Sequence, residues 1–153
     1  MKKFHFTLEK LKDFRGQELD RQKNALSALQ AELRRINESA EELRRKVAAE
    51  SAQLTAVCAS GATASDIAMR KRYIVTLQQE IHMKEQQALA KQQEIEKQLD
   101  AVVEATKDVK TLEKLEEKQL EDYNFKAAKA DEQFIEEYVN GASVRAAMAE
   151  NAV

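Results

Sequence analysis

The sequence contains no proline, no tryptophan, only three glycines and a single cysteine among its 153 residues. Aromatic residues make up 5% of the chain, which leaves little bulk for a compact core. One cysteine excludes an internal disulfide and fits a reducing compartment. Charged residues account for 34% of the chain, and such a composition is typical of long helices when it carries a heptad period. These shortages argue against a globular or disulfide-stapled domain.

Charges of both signs are interleaved along the chain, with 25 Lys and Arg against 27 Asp and Glu. Binding to nucleic acid or to an anionic membrane would need a separate basic face or block, and the sequence has neither. No apolar run approaches the ~20 residues of a membrane span. The start, MKKFHFTLEK, lacks the apolar stretch of a secretory signal. We expect a cytoplasmic protein that binds no nucleic acid and inserts into no membrane.

Apolar residues recur at alternating steps of three and four in two long segments, at positions that we call the seam. In the first segment the seam comprises Leu19, Leu26, Leu29, Leu33, Ile36, Ala40, Leu43, Val47, Leu54 and Val57. In the second it comprises Ile67, Ile74, Leu77, Ile81, Ala88, Ile95, Val102, Ala105, Val109 and Leu112. Heptads sustained over this length indicate a coiled coil.

The two segments are joined by residues 58–66, the one stretch rich in small side chains. Gly61 is suited to closing the first helix, and Thr63 with Asp66 fits a capping box that opens the second. A short connection between two periodic helices predicts an antiparallel hairpin, in which the numbers of facing residues add up to about 124. On this register the seam residues of the two segments face each other.

The predicted fold is therefore all-α, with two long helices in an antiparallel coiled-coil hairpin. Its predicted parts are a hairpin over residues 1–141, made of helix one at about 4–57, a turn at 58–66 and helix two at about 66–139, and a flexible tail at 142–153. The end of helix two is placed at Asn140-Gly141, because glycine commonly follows the last helical residue.

Five seam positions carry polar side chains, namely Glu50, Arg70, Lys84, Lys91 and Gln98. In the predicted register each of them faces an apolar residue. Long polar side chains can lay their methylenes along a seam and keep their head groups in water. The alternative interpretation is a coiled coil that is soft enough to twist or to be gripped by partners.

Helical patterning continues beyond the point at which helix one ends, which leaves about 25–30 Å of helix two without a partner helix. One face of this stretch carries Tyr123, Ala127, Ala130, Phe134 and Tyr138. An isolated helix has little stability of its own, so an aromatic stripe on it predicts a binding partner. The alternative is that Phe4 and Phe6, or a second copy of the chain, cover part of the stripe.

No catalytic or ligand-binding pattern occurs in the sequence. His5 and His82 are far apart, Cys58 has no CxxC or HxxH neighbour, and the glycines form no phosphate-binding loop. Carboxylates are abundant, but a two-helix scaffold leaves them solvated and offers no pocket to shift their pKa. We expect a non-enzymatic protein without catalytic residues, cofactor or metal.

Three stretches carry a resemblance to a known family. They are the opening FHFTLEKLKDFR, the stretch Tyr73-Ile-Val-Thr-Leu77 and the stretch Leu112-Glu-Lys-Leu-Glu-Glu-Lys-Gln-Leu-Glu-Asp-Tyr123. In order and spacing around the turn they resemble the FliJ proteins of flagellar type III export, over about residues 1–140. The resemblance implies a fold similar to the γ-subunit coiled coil of rotary ATPases.

The resemblance also implies a cytoplasmic component of flagellum biogenesis at the inner face of the cell membrane. Such a component links the hexameric export ATPase to the cytoplasmic domain of the export gate and handles export chaperones. By resemblance, Tyr73 and Leu77 are expected to bind the gate, while Glu80 and Lys84 depart from the small and imidazole side chains at the next two steps. The stalk-like fold assigns the aromatic stripe to the ATPase, and the expected contacts are Tyr123, Phe134, Ile135 and Tyr138.

Two other functions are compatible with the same sequence features. One is an injectisome stalk protein of the same kind. The other is a generic coiled-coil scaffold or holding chaperone. A prefoldin-like chaperone would need a β-hairpin region between its helices, and residues 58–66 are too few and too poor in β-branched side chains for it.

Overall fold

A computed structural model describes residues 2–152; Met1 and Val153, at the outer limits of the predicted domains, lie outside the described residues. Helix α1 spans Glu9–Ala59 and helix α2 spans Ala64–Asn151. The two helices pack against each other, and the described part of the chain contains no strand. The predicted all-α helical hairpin is confirmed.

The turn between the helices is built by the residues that the sequence indicated. Gly61 has a φ of +89°, a left-handed conformation that suits glycine because it has no Cβ. The N–H of Gly61 donates to the carbonyl of Cys58 at 3.4 Å, and that of Ala62 donates to Val57 at 3.2 Å. This pair of bonds is a Schellman motif, which satisfies the last carbonyls of α1.

The first turn of α2 is capped by Thr63. The hydroxyl oxygen of Thr63 accepts a hydrogen bond from the backbone N–H of Asp66 at 3.3 Å. Asp66 also places a carboxylate in the first turn of α2, where the positive end of the helix dipole favours it. Local hydrogen bonds within the four-residue connection, 60–63, thus determine where α1 ends and where α2 begins.

The chain divides into two compact units, the hairpin Glu18–Ala105 and the part made of residues 2–17 with 106–152. Within Glu18–Ala105 every apolar seam position is buried or half-buried. Ala40 and Leu77 are only 3% exposed. Contacts between the helices join Gln22 to Gln98, Glu32 to Lys91 and Arg44 to Glu85, as the antiparallel register predicts.

The five polar seam side chains are all half-buried, as expected if their stems lie along the seam. The head groups of two of them also bond to the opposite helix. The Lys91 ammonium lies 2.7 Å from Glu32 of α1 and 3.2 Å from Glu94 of its own helix, and the Gln98 amide donates to the backbone carbonyl of Gln22 of α1 at 2.9 Å. Lys91 and Gln98 are therefore cross-helix links, and the softness of the hairpin stays a prediction.

In the second unit, α1 begins at Glu9 instead of the predicted residue 4. Residues 2–6 precede the helix without helical structure, and Phe6 is 2% exposed. A helix would point Phe4 and Phe6 to different sides, because they are two residues apart. Without helical structure, the segment places Phe4 beside Tyr123 of α2, at 5.6 Å between ring centroids, and buries Phe6.

At the other end, α2 continues through Gly141 to Asn151, beyond the predicted end near residue 139. A glycine inside a helix costs only about 1 kcal/mol relative to alanine, and alanines at 142, 146, 147 and 149 favour helix around it. The guanidinium Nε of Arg145 donates to the carbonyl of Gly141 at 3.3 Å. The mobility of residues 142–153 stays a prediction.

Candidate partner-binding surfaces

Tyr73 and Leu77 lie one turn apart near the start of α2, but the structure gives them different environments. Tyr73 is 48% exposed and Leu77 is 3% exposed. Leu77 lies on the seam and packs between the helices, whereas the ring of Tyr73 is accessible to a partner. Of the two residues predicted to bind the export gate, only Tyr73 offers its side chain at the surface.

Further exposed apolar side chains surround this part of α2, and the sequence analysis did not single them out. Met69, Val75, Met83 and Leu89 are each more than half exposed. A shallow groove on α2 is lined by Val75, Gln78, Gln79, His82 and Met83. The signal was available in the sequence, since Val75, His82 and Leu89 recur every seventh residue outside the seam.

Tyr123 is held by the N-terminal segment. Its ring lies 5.6 Å from that of Phe4 at an interplanar angle of 53°, and its hydroxyl donates to the backbone carbonyl of Lys2 at 2.6 Å. Tyr123 is half-buried as a result. For this residue the structure matches the alternative in which Phe4 covers part of the aromatic stripe.

The remaining predicted contacts at this end are open to solvent. Phe134 is 70% exposed, Ile135 60% and Tyr138 66%. Sequence analysis missed four other exposed apolar side chains of the same part of α2, namely Phe125, Val139, Val144 and Met148. Residues 128–152 are all exposed except Gly141, which is half-buried.

The shifted pKa values of Glu32, Lys91 and Lys12 come from ion pairs between α1 and α2. A hydrogen bond from Lys91 holds the pKa of the Glu32 carboxyl below its ordinary value, and the same bond raises the pKa of Lys91. A hydrogen bond to Glu116 raises the pKa of Lys12. Each shift favours the charged form of the group.

Neither a metal centre nor a membrane span is found in residues 2–152. No three His, Cys, Asp or Glu side chains of this part come together as metal ligands. No helix in it combines the length and hydropathy needed to cross a bilayer. The surfaces of interest are accordingly two sets of exposed apolar side chains on α2, one near Tyr73 and one in residues 128–152.

The model of the family described as Flagellar FliJ protein matches residues 4–147, which include both helices and the turn. The chain belongs to the FliJ family. FliJ proteins take part in flagellar export, so the resemblance found in the three sequence stretches is confirmed, and with it the assignment to flagellar protein transport. No curated protein and no solved structure matches the chain.

Proposed function

We propose that this chain is a non-enzymatic link in the flagellar type III export apparatus. It binds the export ATPase hexamer through the C-terminal part of α2 and the cytoplasmic domain of the export gate through the part of α2 near the turn. It acts at the cytoplasmic side of the cell membrane through these partners, and it also handles export chaperones. The observation that carries the proposal is the pair of exposed apolar surfaces on one helix.

The ATPase contact is assigned to Phe134, Ile135 and Tyr138, with Tyr123 at its edge. Large aromatic side chains dominate the binding energy of protein interfaces, and these residues are exposed although their burial would be favourable. A hexameric ring with a central opening can accept one helical end. Tyr123 contributes indirectly in this proposal, because its contact with Phe4 fixes the N-terminal segment against α2.

The gate contact is assigned to Tyr73, with Leu77 supporting it from the seam. The exposed Met69 and Met83 extend the same surface, and methionine side chains adapt readily to different partners. That adaptability is also what supports a role with export chaperones. Leu77 contributes by keeping the helix in place, since its own side chain is covered by α1.

Stimulation of the purified export ATPase tests the first contact. A chain truncated after Asn124 retains the Phe4–Tyr123 contact and the hairpin, so its thermal transition stays nearly unchanged while stimulation is lost. A chain truncated after Gly141 is the control, since it removes the predicted tail and keeps Phe134 and Tyr138. Full stimulation by the shorter chain contradicts the assignment.

Binding to the cytoplasmic domain of the gate tests the second contact. Tyr73→Ala is expected to weaken binding with little loss of helicity, because the ring is half exposed. Leu77→Ala is expected to lower both binding and helicity. Lys71→Ala, which changes an exposed residue nearby, is expected to lower neither of them. Unchanged binding by the Tyr73 variant contradicts the assignment of the gate contact to this surface.

A further inference from the structure

Most apolar residues of α2 leave the seam rows after Tyr123. The two seam rows, extended by their own heptads, reach Lys126, Ala130, Gln133, Glu137 and Asn140, all of them polar except Ala130. Phe134 and Tyr138 lie one residue past a seam row, and six further apolar side chains lie two residues past one, namely Phe125, Ala128, Ile135, Val139, Ala142 and Ala146. One residue of helix corresponds to about 100° of rotation and two residues to about 200°. The apolar residues thus lie between the flank of α2 and the side nearly opposite the seam.

We call the exposed apolar surface formed by Phe134, Ile135, Tyr138, Val139 and Ala142 the C-terminal face. Its four large side chains are each more than half exposed. In the same unit, the side of α2 that meets α1 is the one that carries the buried Leu112 and the Lys12–Glu116 ion pair. Since α1 begins at Glu9 and its Lys12 pairs with Glu116, the C-terminal face lies beyond the end of α1, which does not cover it.

Acidic side chains accompany the C-terminal face. Asp131, Glu132, Glu136 and Glu137 are all exposed and lie within two turns of helix. The nearest basic residues on either side are Lys129 and Arg145. A partner that buries the apolar side chains therefore brings its own rim close to four negative charges.

This charge pattern disfavours a parallel second copy of the chain as the occupant, because in a parallel pair every charge meets its own copy and like charges placed opposite each other are destabilising. In an antiparallel pair the charges that meet depend on the register. Lys129 of one copy meets Arg145 of the other when the pair is centred on Glu137, whereas Asp131 meets Arg145 when it is centred on Tyr138. The antiparallel pair is therefore an outcome that the test must distinguish.

We infer that the C-terminal face lies in an apolar groove of the export ATPase whose rim carries lysine and arginine side chains. The inference rests on the proposed function and adds the chemistry of the partner surface. An amphipathic helix that enters a groove buries anchors at steps of three and four, which Phe134, Ile135, Tyr138 and Val139 supply. A basic rim complements the carboxylates and raises the rate of association at low salt.

Matched charge variants test the inference by measuring binding of the full-length chain to the purified export ATPase. Glu136→Gln with Glu137→Gln removes two charges beside the C-terminal face. Glu117→Gln with Glu121→Gln removes two exposed charges from α2 outside that face. We expect the first pair to weaken binding about threefold to tenfold at low salt and the control pair to change it little.

The salt dependence provides the second measurement. At about 1 M salt the Debye length falls to about 3 Å, so the difference between the two pairs should disappear, while Phe134→Ala should still weaken binding. If both pairs of substitutions have equal effects, or if binding does not respond to salt, the inference of a basic rim is overturned. A wild-type dimer in sedimentation that Phe134→Ala abolishes would overturn it in favour of a second copy.

The wild-type chain separates this inference from the proposed function. If it fails to bind the export ATPase at every salt concentration, the proposed ATPase contact itself is wrong. If it binds, and the two charge pairs behave alike, the contact stands and only the chemistry of the partner surface is overturned.

Discussion

In the hairpin of Glu18–Ala105 the apolar seam side chains are covered by the opposite helix, whereas in residues 128–152 every apolar side chain is exposed. Residues 64–105 of the hairpin and residues 128–152 belong to the same helix, α2. The hairpin stretch is helical and packed, and the C-terminal stretch is helical without a packed face. The comparison indicates that packing against α1 decides which apolar residues of α2 serve folding and which are available to a partner, since Val144 is exposed although it lies in a seam row.

The largest expected effect separates a seam residue from an exposed one. Leu77→Ala removes a side chain that is 3% exposed, and we expect it to lower the free energy of unfolding by about 2–4 kcal/mol. Phe134→Ala changes a residue that is 70% exposed and should stay within about 0.5 kcal/mol. Urea unfolding followed by far-UV circular dichroism measures both. Similar losses in the two variants would contradict the distinction between covered seam residues and exposed residues available to a partner.

A smaller effect is expected at the turn. Gly61→Ala places a Cβ on a residue with a φ of +89°, and we expect a loss of about 1–2 kcal/mol in the free energy of unfolding. Gly16→Ala is the control, because the added Cβ meets no atom within 4 Å in α1 and should be neutral or stabilising. If both variants are equally stable, the left-handed turn is not what closes α1.

Gly141 allows the C-terminal stretch to be altered locally. Gly141→Ala should stabilise the end of α2 by about 0.5–1 kcal/mol, and its Cβ would meet only the Arg145 guanidinium, at 3.7 Å. Hydrogen exchange of the amides of residues 142–150 should slow in this variant. The reverse change, Ala142→Gly, should make the same amides exchange faster. An unaltered exchange pattern in both variants would mean that the tail is not helical in solution.

The smallest effect concerns the ion pair across the seam. Because Lys91 holds the pKa of Glu32 below its ordinary value of 4.5, Glu32 stabilises the folded chain above that pH, and this stabilisation is lost as the pH falls through the folded pKa. In the Glu32→Gln variant, the melting temperature should therefore fall less than in the wild-type chain as the pH is lowered through that acidic range. Glu42→Gln, which removes an exposed carboxylate of the same helix, is the control. Thermal melts at several pH values measure the difference, and parallel curves for both variants would contradict it.

The sequence was sufficient for the elements that depend on local rules or on periodicity. The seam follows from the heptads, and the turn follows from Gly61 and Thr63, whose backbone conformation and capping bond need only neighbouring residues. The start of α1 could not be predicted in the same way. It depends on Phe4 reaching Tyr123, a contact between residues more than a hundred positions apart.

The candidate surfaces were predictable in part for a related reason. Composition and period identified the aromatic residues from position 123 onwards, but only the structure separated Tyr123, which the N-terminal segment contacts, from the exposed Phe134 and Tyr138. The family resemblance predicted that Tyr73 and Leu77 both bind the gate. The structure distinguishes them, because Tyr73 is exposed and Leu77 is buried. Long side chains such as Lys91 and Gln98 have many rotamers, so their bonds to the opposite helix could not be deduced from spacing.

The four-residue connection at 60–63 limits how the length of the hairpin can change during evolution. The connection is too short to absorb additional residues. An insertion in α1 before the connection therefore shifts the preceding residues of α1 relative to their partners on α2 within Glu18–Ala105. A gain of seven residues before the turn would preserve the packing only if seven were also gained after it. Insertions and deletions in this hairpin should therefore occur as mirrored pairs about Gly61, whereas the C-terminal end of α2 can lengthen or shorten alone.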